Sequence, residues 1–165
     1  MVEKKVIVDG LRLSYNGSFD IIEFYKKVED WIRSRGLEKE TKKKLEYVTP
    51  TGKRIEWFIE CWKNVADYAK TVVRMRALFN NVQEVEAVKE GHTISLNQGD
   101  VLIIFDAFLE TDIEGRWQQK PWFFFFSSLF DKYIWRIKEK FDEPLRKETN
   151  ELHKTLTDFF NSYKH

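Results

Sequence analysis

This chain of 165 residues has one cysteine, three prolines, two methionines, seven glycines and three histidines. A lone Cys61 excludes an intramolecular disulfide and any site built from several cysteines, and it fits a reducing, cytoplasmic compartment. His92, His153 and His165 are too far apart for zinc-ligand spacing, so neither metal nor cofactor is expected. No run approaches the roughly 20 apolar residues that cross a bilayer, so no transmembrane segment is expected, and the amino terminus lacks the apolar core of a secretion signal. Gly91 and Gly99 fall among strand patterns, not between a strand and a helix, which disfavours a nucleotide-binding glycine loop.

Charge and aromatic side chains are abundant. The 28 basic and 27 acidic residues nearly cancel, leaving no global reason to expect nucleic acid. The two ends of the chain are the more basic parts and the middle is acidic. Aromatic residues make up 16% of the chain, which implies a bulky core, an exposed aromatic surface, or both.

Apolar periodicity organises the chain as a single α+β domain. Val6, Val8, Leu11, Leu13 and Tyr15 mark a first strand whose parity changes across Asp9-Gly10, as a bulge requires. Ile21, Phe24, Tyr25, Val28, Trp31 and Ile32 form a helical stripe, with Ser18 or Asp20 as its cap and Gly36 as its stop. Leu45–Thr49 and Lys53–Trp62 read as a hairpin around Pro50 and Gly52, and another strand follows to about Asn80. A turn or bulge at Asn80-Asn81, a charged strand 82–89, a tight turn at Glu90-Gly91 and a hairpin around Asn97-Gln98-Gly99-Asp100 complete the pattern. This predicts a curved antiparallel sheet of five to six strands packed against long terminal helices. Residues 121–163 read as two C-terminal helices separated by a break or kink near Pro144.

A strand, a helix, an antiparallel meander and a closing helix together resemble the helix-grip arrangement of the START and Bet v 1 superfamily. The chain as a whole is similar to small conserved archaeal proteins of unassigned function. The single long first helix and the second C-terminal helix depart from the superfamily pattern. The resemblance implies a cavity between sheet and helix and assigns no residue to it.

Two groups of residues stand out as candidate sites. Trp117, Trp122, Phe123, Phe124, Phe125, Phe126 and Phe130 form the aromatic group, and four successive phenylalanines sweep around nearly a whole helical turn. One sheet cannot cover them all, so the second C-terminal helix, a second copy of the chain, an apolar ligand or a membrane surface takes up the remainder. Lys42, Lys43 and Lys44 with Arg74 and Arg76 form the candidate anion-binding group, suited to phosphates of RNA or to an anionic ligand; a solvated surface loop explains the lysines equally well, and arginines so placed more often pair with Glu56, Glu60, Glu84 or Glu86 across a sheet. Paired strand acids, Glu56 with Glu60 and Asp106 with Glu110, read as a half-solvated sheet face more readily than as acid–base machinery. Catalytic residues are therefore not assigned. The leading expectation is a non-catalytic binding or protein-interaction module using an aromatic helical surface. The alternatives are a small apolar-ligand carrier or cavity enzyme, and an RNA- or ribosome-associated accessory protein.

Overall fold

The computed structural model describes residues 3–111 and 123–164, and within the last helix the side chains from 135 onward except 137 and 138. The chain runs β1 (Glu3–Phe19), α1 (Ile21–Ser34), β2 (Glu38–Thr49), β3 (Gly52–Ala66), β4 (Ala69–Lys89), β5 (His92–Thr111) and α2 (Phe123–Asn161). The strands form one five-stranded sheet in the order β1-β5-β4-β3-β2, antiparallel throughout. An α+β fold with helices at both ends of an antiparallel meander is thus what the sequence builds.

Helix α1 begins where Asp20 accepts hydrogen bonds from the amides of Ile22, at 3.0 Å, and Glu23, at 3.3 Å. It ends in a Schellman motif: Leu37 N–H donates to Ile32 O, Gly36 N–H donates to Arg33 O, and Gly36 takes a φ of +66°. Its buried stripe is Phe24, Val28, Trp31 and Ile32. Helix α2 supplies the facing stripe from Leu145, Leu152, Leu156 and Phe160, with Thr149 buried among them and its hydroxyl bonded to the Leu145 carbonyl. Phe19, Phe24, Phe79, Phe105 and Phe160 are fully enclosed between the helices and the inner face of the sheet. Tyr15 stacks on Phe160 with ring centroids 4.9 Å apart.

Three sequence expectations need correction. Residues 82–89 are not a separate strand: β4 continues through them across a bulge at Asn81, whose φ is +56°. Asn97–Asp100 is not a turn either, because these residues pair with Phe19 through Asn16 inside the continuous strand β5. Gly99 is there for close approach: a Cβ would lie 2.8 Å from the Asn80 carbonyl oxygen. Finally, of the break or kink expected near Pro144, the break does not occur: α2 passes through Pro144 as one helix, where two were expected. The chain is tied on both sides of that residue, by Lys5 to Asp142 and by Lys63 to Glu148, while Leu145 is buried, so packing offsets the hydrogen bond that proline removes. The Glu90-Gly91 turn is as expected, with φ of +52° and +79° at its two central residues, the pattern of a two-residue type I′ hairpin.

Candidate interaction surface

The outer face of the sheet, opposite the helices, carries a lattice of ion pairs between apolar side chains. Arg54 and Lys43 both meet Glu56, at 3.0 and 2.7 Å. Arg74 and Lys42 both meet Glu60, at 2.9 and 3.6 Å, and Lys4 and Lys70 both meet Glu110. Arg76 reaches Asp106, which also accepts the Gly10 amide of the β1 bulge at 2.8 Å. Four strand acids are therefore each held by two donors.

Hydrogen bonds from Lys43 and Arg54 hold the Glu56 carboxyl below the usual glutamate range. Burial pushes the Glu60 carboxyl upward, but the hydrogen bond and charge of Arg74, with Lys42, outweigh it and the net shift is downward. The same cations lie over aromatic rings: Lys43 over Phe58, Lys70 over Trp62, and both Lys4 and Arg74 over Phe108. Such a face is densely ion-paired and partly apolar.

The lysine run does not act as one group. A bulge between Thr41 and Lys43 breaks the alternation of β2, so Lys42 and Lys43 both reach outer-face acids while Lys44 crosses to the inner side. There its ammonium sits 5.0 Å from the Tyr25 ring centroid. Arg74 and Arg76 share a strand face, as their spacing indicates, and meet Glu60 and Asp106. The aromatic group 117–126 with Phe130 lies outside the described residues, apart from the helical backbone from Phe123 onward.

The two sheet edges differ. On β1, register shifts at Val6–Val8 and Val8–Leu11 interrupt the strand, and His153 of α2 reaches across to the Arg12 carbonyl at 2.9 Å. On β2, among the described residues, no strand pairs with the outer edge. Charged edge strands resist pairing with other chains, and the first half of β2 is of that kind. The second half is not. Leu45, Tyr47 and Val48 are 47%, 43% and 80% exposed on a strand with an unpaired side. Sequence reasoning missed this edge because the apolar residues 45–48 read as an ordinary hairpin arm; their place at the end of the sheet order is what exposes them.

Among the described residues, grooves at the rim of the core include the following pair. One, of about 590 Å³, is bordered by Tyr25, Glu46, Ile55, Val82 and Leu96; the other, of about 540 Å³, by Ser18, Val88, Ile94, Leu96 and Tyr163. Both are open on one side beneath the distal part of the β4–β5 hairpin. Among the described residues, no three or more His, Cys, Asp or Glu side chains gather as metal ligands, and no helix is long and apolar enough to cross a membrane. Cys61 is buried on the inner face, and burial pushes its thiol up to about 12.

No family model, curated protein or solved structure matches the chain.

Proposed function

We propose that the protein is a non-catalytic interaction module that accepts an extended strand of a protein partner along the open edge of β2. The observation that carries this reading is the contrast between the edges: β1 is interrupted twice and has its Arg12 carbonyl capped by His153 of α2, whereas the outer side of β2 pairs with no strand among the described residues and carries exposed Leu45, Tyr47 and Val48. Strand addition draws its affinity from main-chain hydrogen bonds and its specificity from alternate side chains, and β2 offers both. Carboxylates already occupy Lys42, Lys43, Arg74 and Arg76, which favours a protein partner over a nucleic-acid backbone. The same proposal reads the packing of helices on sheet as helix-grip-like. It takes the buried free thiol of Cys61 as support for a reducing, cytoplasmic setting. The aromatic run Phe123–Phe126 is retained in it as a second contact region.

Selection from a library of displayed nine-residue peptides tests the reading. Thr49 and Gly52 flank a two-residue loop, so they form a hydrogen-bonded pair; by alternation Tyr47, Leu45 and Lys43 turn their backbone groups toward β3, and Val48, Glu46 and Lys44 turn theirs outward. Glu46→Pro therefore removes an outward amide without touching the β2–β3 ladder. The native protein is expected to enrich strand-forming peptides and the variant to enrich none. Equal enrichment by both proteins, or by neither, contradicts the proposal.

A further inference from the structure

We propose that the strand accepted by β2 is β2 of a second copy, paired antiparallel about a two-fold axis at Leu45; this inference rests on the strand-addition reading above. Its basis is self-complementarity. In that register Leu45 faces its own counterpart, Lys44 faces Glu46 twice, and Lys43 faces Tyr47 twice. Apolar side chains meet at the centre, opposite charges flank them, and lysine meets an aromatic ring beyond, a pairing this protein already uses where Lys43 lies over Phe58 and Lys44 over Tyr25. Centring the axis one residue earlier sets Lys44 against itself. Centring it two residues earlier sets Lys42 against Lys44 and Glu40 against Glu46, so like charges oppose each other and select against that alternative.

Backbone geometry agrees with this register. Lys44 and Glu46 turn their amides and carbonyls outward by the alternation set at the Thr49/Gly52 loop, so each copy offers the other the groups that a Lys44–Glu46 hydrogen-bonded pair needs. Leu45 then occupies a non-hydrogen-bonded position, where opposed side chains approach most closely. The ladder is bounded at both ends, by the Lys42 bulge and by Pro50. Two outer faces align on one side of a ten-stranded sheet, and the helices of both copies lie on the other. A ladder this short makes a modest interface, so association is expected to depend on protein concentration.

The test uses the full chain. Sedimentation velocity from micromolar to millimolar concentration is expected to show a reversible monomer–dimer equilibrium. Lys44→Glu alone and Glu46→Lys alone each set like charges across the axis and are expected to sediment as monomers, while an equimolar mixture of the two variants restores the dimer. Under mild oxidation Leu45→Cys is expected to form a covalent dimer, because opposed non-hydrogen-bonded residues have Cα atoms about 4.5 Å apart, within disulfide reach. Tyr47→Cys, whose counterpart is Lys43, is expected to form one at least tenfold more slowly. A native protein that stays monomeric throughout, or equal cross-linking at positions 45 and 47, overturns the inference. If the native protein is monomeric yet still enriches displayed peptides through β2, only the self-association fails. If it does neither, the strand-addition reading fails with it.

Discussion

His153 of α2 places Nε2 2.9 Å from the carbonyl oxygen of Arg12 on β1. A carbonyl only accepts, so the imidazole donates, and a helix that packs against the inner face also satisfies an edge group of the sheet. The His153 ring meets Phe105 edge-on at 5.6 Å, which fixes its direction. His153→Ala is expected to lower stability by about 1 kcal/mol in equilibrium urea unfolding, the usual worth of one such hydrogen bond. His153→Gln keeps a donor and is expected to recover part of the loss.

The aromatic cluster sets the stability of the whole. Phe160 is fully buried and touches Tyr15, Phe19, Phe24 and Phe159. Phe160→Ala is expected to cost about 3–5 kcal/mol, as large-to-small changes in packed cores do. Urea and thermal unfolding measure it. Phe160→Leu keeps most of the volume and is expected to cost less.

Acid stability follows from the outer-face lattice. Glu56 and Glu60 both titrate below the ordinary glutamate value of 4.5 when folded. Above that value both states are ionised and the stabilisation is complete. As pH falls, the unfolded chain takes up protons first, so stability is lost from about pH 4.5 downward through the folded-state values. The double variant Glu56→Gln/Glu60→Gln is expected to be less stable at pH 7 and to show a flatter loss between pH 5 and pH 3 by chemical denaturation.

Cys61 is predicted to be inert. Its thiol is pushed up to about 12 and is buried beside Ile59 and Trp57 on the inner face, so almost none is thiolate at pH 8. A thiol-reactive disulfide reagent is expected to leave the native protein unlabelled and to modify one thiol per chain in denaturant. Rapid labelling of the folded protein contradicts this placement.

Helix α1 was fully legible, because its stripe, the Asp20 cap and Gly36 all point to the same ends. The long strands were not. Asn97-Gln98-Gly99-Asp100 has the composition of a turn, yet the glycine serves a tight backbone approach to Asn80 and Val82 across the bulge, a tertiary requirement with no signature along the chain. Pro144 misled in the same way, since a break costs less than continuity only where packing does not hold both flanks. For the surface, the sequence singles out Lys42–Lys44, Arg74 and Arg76 as candidates but reads three lysines as one group. The one-residue bulge that divides them changes the facing of every residue beyond it, and a bulge in a charged strand leaves no trace in hydrophobic pattern. The exposed edge at Leu45–Val48 depends on sheet order, which is set by long-range pairing.

Amide hydrogen exchange across β2, followed as protein concentration rises, tests the open edge most directly. Lys43, Leu45 and Tyr47, bonded to β3, are predicted to be protected at every concentration, whereas Lys44 and Glu46 exchange fast when dilute and slow down as the protein is concentrated. Uniform protection of all five amides in dilute solution, or Lys44 and Glu46 amides that stay fast at every concentration, would contradict the account.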